Sequence, residues 1–305
     1  MSSASALAAP DSPSTDPPRR SGRPWPRKIL WANLVAQIGI IVTGGAVRLT
    51  GSGLGCSTWP QCEPGQFAPS FHEETAAHAF IEFGNRTMTG VLGIIALALA
   101  WLVWRDHLRP SWYRRLGLVP LIGVVVQALI GGVTVLAKLH PAVVGVHMLV
   151  SLGLVAASAA LLALDGHTWL TRPTAPMRRP ARNLLAVGAM LMVLGTITTG
   201  SGPHGGDDEY AARYELDPVL VAKAHAWAVW VFLGLLLVCL VLLRRAGAPE
   251  ARKSWTWLLV VTLAQGAIGY VQYFTGLPEV VVGAHLLGTG VLTAVLTWAY
   301  LRLPR

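Results

Sequence analysis

The chain has 305 residues, a formal net charge of +9, 53% hydrophobic and only 13% charged residues, and a mean hydropathy of +0.52. Soluble domains carry about a quarter charged residues, so this composition excludes an ordinary water-soluble domain and points to lipid as the solvent. The basic balance invites a nucleic-acid reading, but the charges lie between apolar stretches, which marks membrane topology and no nucleic-acid surface.

Residues 1–28 are rich in Ser, Pro and Ala and end in a basic stretch, Arg19, Arg20, Arg23, Arg27 and Lys28. With no apolar core ahead of the first long helix, this segment reads as a disordered cytoplasmic tail and not as a cleaved signal peptide. About 20 apolar residues are needed to cross the hydrocarbon core as a helix. Eight stretches meet that requirement: 29–49, 79–104, 116–137, 142–164, 183–201, 219–243, 255–274 and 280–301. The fifth is short and rich in Gly and Thr. The expected fold is therefore an all-α integral membrane protein of eight transmembrane helices. An N-terminal half spans 29–164, a cytoplasmic linker 165–182 and a C-terminal half 183–302.

Placing the N-terminus in the cytoplasm puts five Lys or Arg in the tail, four in each loop after spans two, four and six, and two at the C-terminus, or 19 of 24. This bias predicts both termini inside a cell membrane by the positive-inside rule. The acids Glu63, Glu73, Glu74, Asp207, Asp208, Glu209, Glu215, Asp217 and Glu279 fall in or beside outer loops. The two long loops, 50–78 and 200–218, are thus both outside, and long ordered loops usually carry function.

The halves echo each other. Gln127, Gly131, Gly145, His147 and Leu149 recur 138 positions later as Gln265, Gly269, Gly283, His285 and Leu287. Thr50 to Gly53 recurs as Thr199 to Gly202, 149 positions on. The pattern predicts two duplicated four-helix bundles in parallel, each able to enclose a cofactor in its core.

Spans two, four, six and eight run inward, and three of them open at Pro141, Pro218 and Pro278. His147, His225 and His285 follow by six or seven residues, which sets each imidazole ~10 Å below its helix start at 1.5 Å per residue. Ionisable side chains within spans are costly and functional by default. The bland alternative, three histidines that merely bond neighbouring helices, does not account for their matched depth. Facing imidazoles in a four-helix core suit the axial positions of heme iron, whereas zinc would need further ligands at that depth. Asn85 occupies the place on span two that mirrors His225, leaving His147 as the obvious ligand of the N-terminal half. His78 and Glu82 share the helical face of Asn85, but His78 lies too near the outside to replace the missing imidazole. His72, His140 and His204 belong to outer loops, and His107 and His167 to the cytoplasmic side.

Together these residues resemble the heme A synthase family. The resemblance runs from about residue 29 and rests on Gly44-Gly45, Arg48 to Gly53, Cys56 to Cys62, Glu82 to Arg86, His147, Thr198 to His204, His225 and His285. It implies oxidation of the C8 methyl group of heme O to a formyl group, giving heme A for terminal oxidases. It also implies a resident heme b between His225 and His285, with substrate heme in the N-terminal half near His147. Most members carry histidine where this chain has Asn85. The family's functional glutamate maps onto Glu82 and its outer-loop cysteine pair onto Cys56 and Cys62, a pairing that suits the oxidising side. Candidate partners are heme O synthase and an electron carrier.

Rival roles stand beside these. Glu82 could instead pair with Arg86 one turn on, Arg48 could meet a heme propionate or anchor at the interface, and Cys239 reads as a small buried residue. At the level of the whole chain, the alternative is a diheme b-type electron-transfer protein with no chemistry on the heme. A transporter would explain the repeats but predicts no heme. A prenyltransferase would need spaced aspartate pairs that Asp207-Asp208-Glu209 does not supply.

Overall fold

A computed structural model of the protein describes residues 24–69, 76–165, 175–207, 209–210 and 212–303. Among these residues the ordered elements are helices: α1 (Pro24–Leu49), α2 (Ala76–Arg105), α3 (Ser111–Leu116), α4 (Val119–Leu136), α5 (Pro141–Ala163), α6 (Ala175–Ser201), α7 (Pro218–Arg245), α8 (Pro249–Phe274) and α9 (Glu279–Leu301). With α3 and α4 taken as one span, eight segments are long and apolar enough to cross a membrane, matching the eight expected. Helices satisfy every backbone donor and acceptor internally, the condition for a chain segment in lipid.

Several boundaries differ from the sequence expectation, among them the start of α8, at Pro249 and not at 255. Helix α1 begins at Pro24, inside the stretch read as tail, and residues 1–23 lie outside the described ones. Helix α6 extends the shortest expected span by eight residues, because Ala175 to Arg182, read as linker, is helical. The third span starts early, at Ser111, and breaks at Gly117 and Leu118. Pro120 lacks the N–H needed to continue the ladder, and a side chain at Gly117 would begin 2.6 Å from Val103 Cγ1 on α2. Elsewhere proline opens helices as expected, at Pro141 and Pro218, while Pro278 is the N-cap of α9. Asp217 adds a capping carboxylate that accepts the Val219 N–H at 2.9 Å.

Helices α1, α2, α4 and α5 form a closed ring in which each packs on the next. Helices α6 to α9 pack in chain order, and α9 also lies against α1 and α5, with α5 against α6. The close-packed cores occupy one end of the molecule. In the C-terminal set Phe232, Leu236, Cys239, Leu243, Trp255 and Leu258 are fully buried, and Trp255 Nε1 donates to the Ala299 carbonyl at 2.9 Å. In the N-terminal set Leu30, Leu99, Val103, Tyr113, Val155 and Leu161 are equally buried, and Asn33 donates to Ser158 at 2.8 Å between α1 and α5. Arginines cover tryptophans at this same end, Arg105 over Trp101 and Arg302 over Trp298, as cations and aromatics do at a membrane interface. The two long loops meet at the other end, where Gly53 N–H donates to the Gly206 carbonyl at 2.7 Å.

Candidate functional site

The loop ends of the helices are built differently from the cores. The two large apolar clusters lie towards the other end, and here the helices carry His147, His225, His285, Gln127 and Gln265, while Cys56, Cys62, Ala79 and Phe83 make a small apolar cluster under the first loop. Helices α5, α7 and α9 bring His147, His225 and His285 to one depth, each six or seven residues from its helix start.

Each imidazole lies on a glycine of the preceding helix. A side chain at Gly131 would begin 3.4 Å from Cε1 of His147, one at Gly195 3.4 Å from Cε1 of His225, and one at Gly269 3.5 Å from Cε1 of His285. The glycines let the rings settle against helix backbone. All three residues are half-buried, yet each Nδ1 is fully buried, those of His147 and His285 with no partner and that of His225 on the side of the ring against α6, where the Leu191 backbone interacts with it.

Two histidine helices are gripped in the same way. Gln127 on α4 donates to the His147 carbonyl at 2.9 Å, and Gln265 on α8 donates to the His285 carbonyl at 3.0 Å. Each amide also reaches a hydroxyl one turn further along, Ser151 or Thr289. Those hydroxyls donate to the same carbonyls at 3.0 and 2.8 Å. The sequence repeat at an offset of 138 is therefore a repeated hydrogen-bond triad that fixes the height and rotation of the histidine helix against its neighbour.

The C-terminal pair, His225 and His285, lies within electrostatic reach of each other. Among the described residues no group of three or more His, Cys, Asp or Glu could hold a bare metal ion. A macrocycle that brings its own in-plane ligands needs only axial imidazoles, so a half-buried histidine pair with buried ring nitrogens fits heme.

The N-terminal half is not a copy. Asn85, on α2 of the same half as His147, has its Oδ1 already accepting from Thr43 Oγ1 at 2.7 Å and its amide beside Gly44. One turn outward, Glu82 is 5% exposed. Its carboxylate accepts the Cys56 N–H at 2.7 Å, and the Arg86 Nε and Nη2 at 3.1 and 2.5 Å. The ion pair that competes with a chemical role for Glu82 is thus present. Arg86 then donates to the Thr58 carbonyl at 3.0 Å and to the Gln61 carbonyl at 3.2 Å. Cys56 and Cys62 form the expected disulfide and are fully buried. Glu82, Arg86 and the disulfide make one unit that ties the first loop to α2.

Arg48, at the end of α1, crosses to the other half, donating from Nη2 to the Thr199 carbonyl at 2.9 Å. Its Nε is buried without a partner, Arg213 stands close enough to repel it, and no carboxylate lies within ion-pair distance among the described residues. The remaining histidines have structural roles. His78 meets Ser52 Oγ at 2.9 Å, His140 caps α5 through the Ala142 N–H, and His107 contacts Arg114. His72 and His167 lie outside the described residues. Cys239 is buried in the C-terminal core. Sequence reasoning missed Gly195, Thr43, Ser151 and Thr289, whose partners are ring faces, amides and carbonyls that leave no spacing signal.

A model of the cytochrome oxidase assembly protein family matches residues 27–214, more than half of the chain. That match takes in Glu82, Asn85 and His147 and stops short of His225 and His285. The chain is similar to proteins named heme A synthase, 34% identical over 130 residues in Bacillus mycoides (strain KBAB4) and 33% identical over 130 residues in Bacillus cereus (strain AH187). In both cases the matched stretch covers 41% of this chain and 40% of the relative. On the family match over residues 27–214, the chain belongs to the cytochrome oxidase assembly protein family.

Proposed function

We propose that the protein is a heme A synthase, oxidising the C8 methyl group of heme O to the formyl group of heme A for terminal oxidases. The observation that carries this reading is the duplicated histidine cradle with one half altered. Two bundles share the glycine ledge and the glutamine–hydroxyl grip, but only one has a second histidine close to the first, His225 beside His285, where the other has Asn85.

In this reading His225 and His285 are the axial ligands of a resident heme b, which supplies one-electron redox chemistry when bound. Gln265 and Thr289 hold His285 at the height needed to face His225. The N-terminal half takes heme O, with His147 on one side of the substrate iron. Asn85 offers an amide, a weak ligand for iron beside imidazole, and its oxygen is already engaged by Thr43. Arg48 carries an uncompensated charge in a mostly buried place, which a heme propionate would neutralise.

Converting the methyl to a formyl group takes its oxygen from water and releases four protons and four electrons, the electrons passing to an electron carrier, so the site needs a group that handles protons near the methyl. Glu82 is placed for this, one turn from Asn85 on the same helix and at the mouth of the half-bundle. Its pairing with Arg86 orients it, and the pair must loosen for the carboxylate to take a proton. Both termini are assigned to the cytoplasm, which sets the histidine ends near the outer membrane face.

Heme extraction and mass analysis of the purified protein test the reading. Heme O or heme A beside heme b is the expected result. Heme b alone, in cells that make heme O, favours a diheme electron-transfer protein and overturns the assignment.

A further inference from the structure

The loop held by Glu82 and Arg86 carries a tryptophan for which the reaction assigns no role. Trp59 lies inside the ring closed by Cys56 and Cys62, and Arg86 holds the carbonyls of Thr58 before it and Gln61 after it. Its indole rests on α4 at Gly132. A side chain there would begin 2.5, 2.8 and 2.9 Å from Cδ2, Cε2 and Cε3 of the ring, so only glycine admits this contact. Gly132 follows Gly131, the ledge under His147, and Arg86 follows Asn85. Helices α2 and α4 are neighbours. The indole therefore joins the first loop to α4 next in sequence to the ledge of His147, and Arg86 joins the same loop to α2 next in sequence to Asn85.

The C-terminal half has no such device. At the 138-residue offset Gly132 becomes Tyr270, and at the 140-residue offset that pairs Asn85 with His225, Glu82 and Arg86 become Ala222 and Ala226. Both clamp residues and the docking glycine are absent together. Tyr270, whose ring stacks on Phe274 of α8, holds the position at which the N-terminal half has the docking glycine.

We propose that Trp59 is a removable side wall of the N-terminal porphyrin site, retaining the macrocycle while docked on Gly132 and opening the α2–α4 seam for its passage when the loop lifts. The proposal rests on reading that half as a porphyrin site. Trp59 acts by position: a flat apolar ring closes the seam without bonding to iron, and Arg86 and Glu82 set how readily it leaves. The disulfide makes the loop move as a unit. A resident heme needs no such door, which matches its absence beside His225 and His285.

The experiment measures heme release from the purified full-length protein, expressed with its own heme supply, to excess apomyoglobin. His147→Ala identifies the phase belonging to the N-terminal half, and His225→Ala the other. Trp59→Ala and Gly132→Ala should each speed release from the N-terminal half by about tenfold or more, since the loss of a retaining contact falls mainly on the off-rate. The C-terminal phase and the low-spin spectrum should stay as in the unaltered protein, and Trp59→Phe should restore most of the retention. Unchanged release in Trp59→Ala overturns the proposal, as does equal acceleration of both phases, which would mean general loosening. If the unaltered protein carries one heme only, lost in His225→Ala and kept in His147→Ala, the porphyrin reading of the N-terminal half falls, and the side wall with it.

Discussion

Replacing Glu82 separates a chemical role from an anchoring one, because the structure shows what each substitution removes. The carboxylate accepts three hydrogen bonds, one from Cys56 N–H and two from Arg86. Glu82→Ala leaves the buried Cys56 N–H without an acceptor, which costs about 1–3 kcal/mol. It also removes the ion pair. A fully buried pair broken on one side costs about 3–5 kcal/mol, but the Arg86 side chain is 18% exposed and keeps the Thr58 and Gln61 carbonyls. The loss is therefore nearer ~1–2 kcal/mol, for a total of ~2–5 kcal/mol of loop anchoring. Glu82→Gln keeps one oxygen for the Cys56 N–H, which Oε2 accepts, but sets an amide NH2 where Oε1 accepted both arginine bonds, so it loses the ion pair and costs about 1–2 kcal/mol. Both variants should stop heme A formation, and Glu82→Ala should raise amide exchange across residues 53–66 more than Glu82→Gln. Heme b should be unchanged in each. The assays are heme extraction with mass analysis and hydrogen exchange on the same samples. Heme A formed at the normal rate by Glu82→Gln would reduce Glu82 to a loop anchor, and loss of heme b in either variant would refute the division of labour between the halves.

His225→Ala or His285→Ala should abolish the low-spin heme b spectrum, since each removes one axial ligand of a single iron; absorption and paramagnetic resonance spectra check this. His147→Ala should lower heme O occupancy and turnover, while Asn85→His should tighten binding and slow product release, read by heme content and single-turnover rates. Changing Cys56 and Cys62 together to Ser opens a short ring, which costs about 2 kcal/mol of stabilisation and should appear as faster exchange in residues 53–66. Gln265→Leu removes two donated bonds worth about 0.5–1.5 kcal/mol each but also a buried Oε1 without a partner. Thermal stability should therefore hardly move while the low-spin heme signal shifts, and an unshifted signal would deny Gln265 a positioning role.

The spans were legible because lipid demands long apolar runs, and all eight emerged from length and hydropathy alone. Their ends were less so. The Ala175 to Arg182 segment is too polar to read as membrane, yet it continues α6 as helix, and the break before α4 depends on Gly117 meeting Val103 across two helices. The equal depth of His147, His225 and His285 followed from counting residues after helix-opening prolines. The repeat of Gln127 as Gln265 was visible, but its meaning was not, since the partner is a backbone carbonyl that no residue pattern records. Trp59 stood in a recognisable motif, yet its partner Gly132 is 73 positions away, and a contact made with the absence of a side chain has no signature of its own.

The differences between the halves are not scattered. What stays the same lies on α4 with α5 and on α8 with α9: the glutamine, the hydroxyl, the glycine ledge and the histidine they position. What changes lies on the opposing wall and the seam beside it, where His225, Ala222, Ala226 and Tyr270 replace Asn85, Glu82, Arg86 and Gly132. A resident cofactor gains from two strong axial bonds and a fixed wall, because both slow its escape. A substrate that must leave as product is held too long by the same features, since an off-rate falls with every strong contact. Exchanging one imidazole for an amide and one fixed side chain for a hinged indole weakens retention on the two sides from which a macrocycle departs. On the proposed function, the carboxylate beside them would act at the methyl edge and not on the iron. Removing a ligand, adding a charged group and opening a wall would then be three parts of one conversion, from a site that keeps heme to a site that processes it.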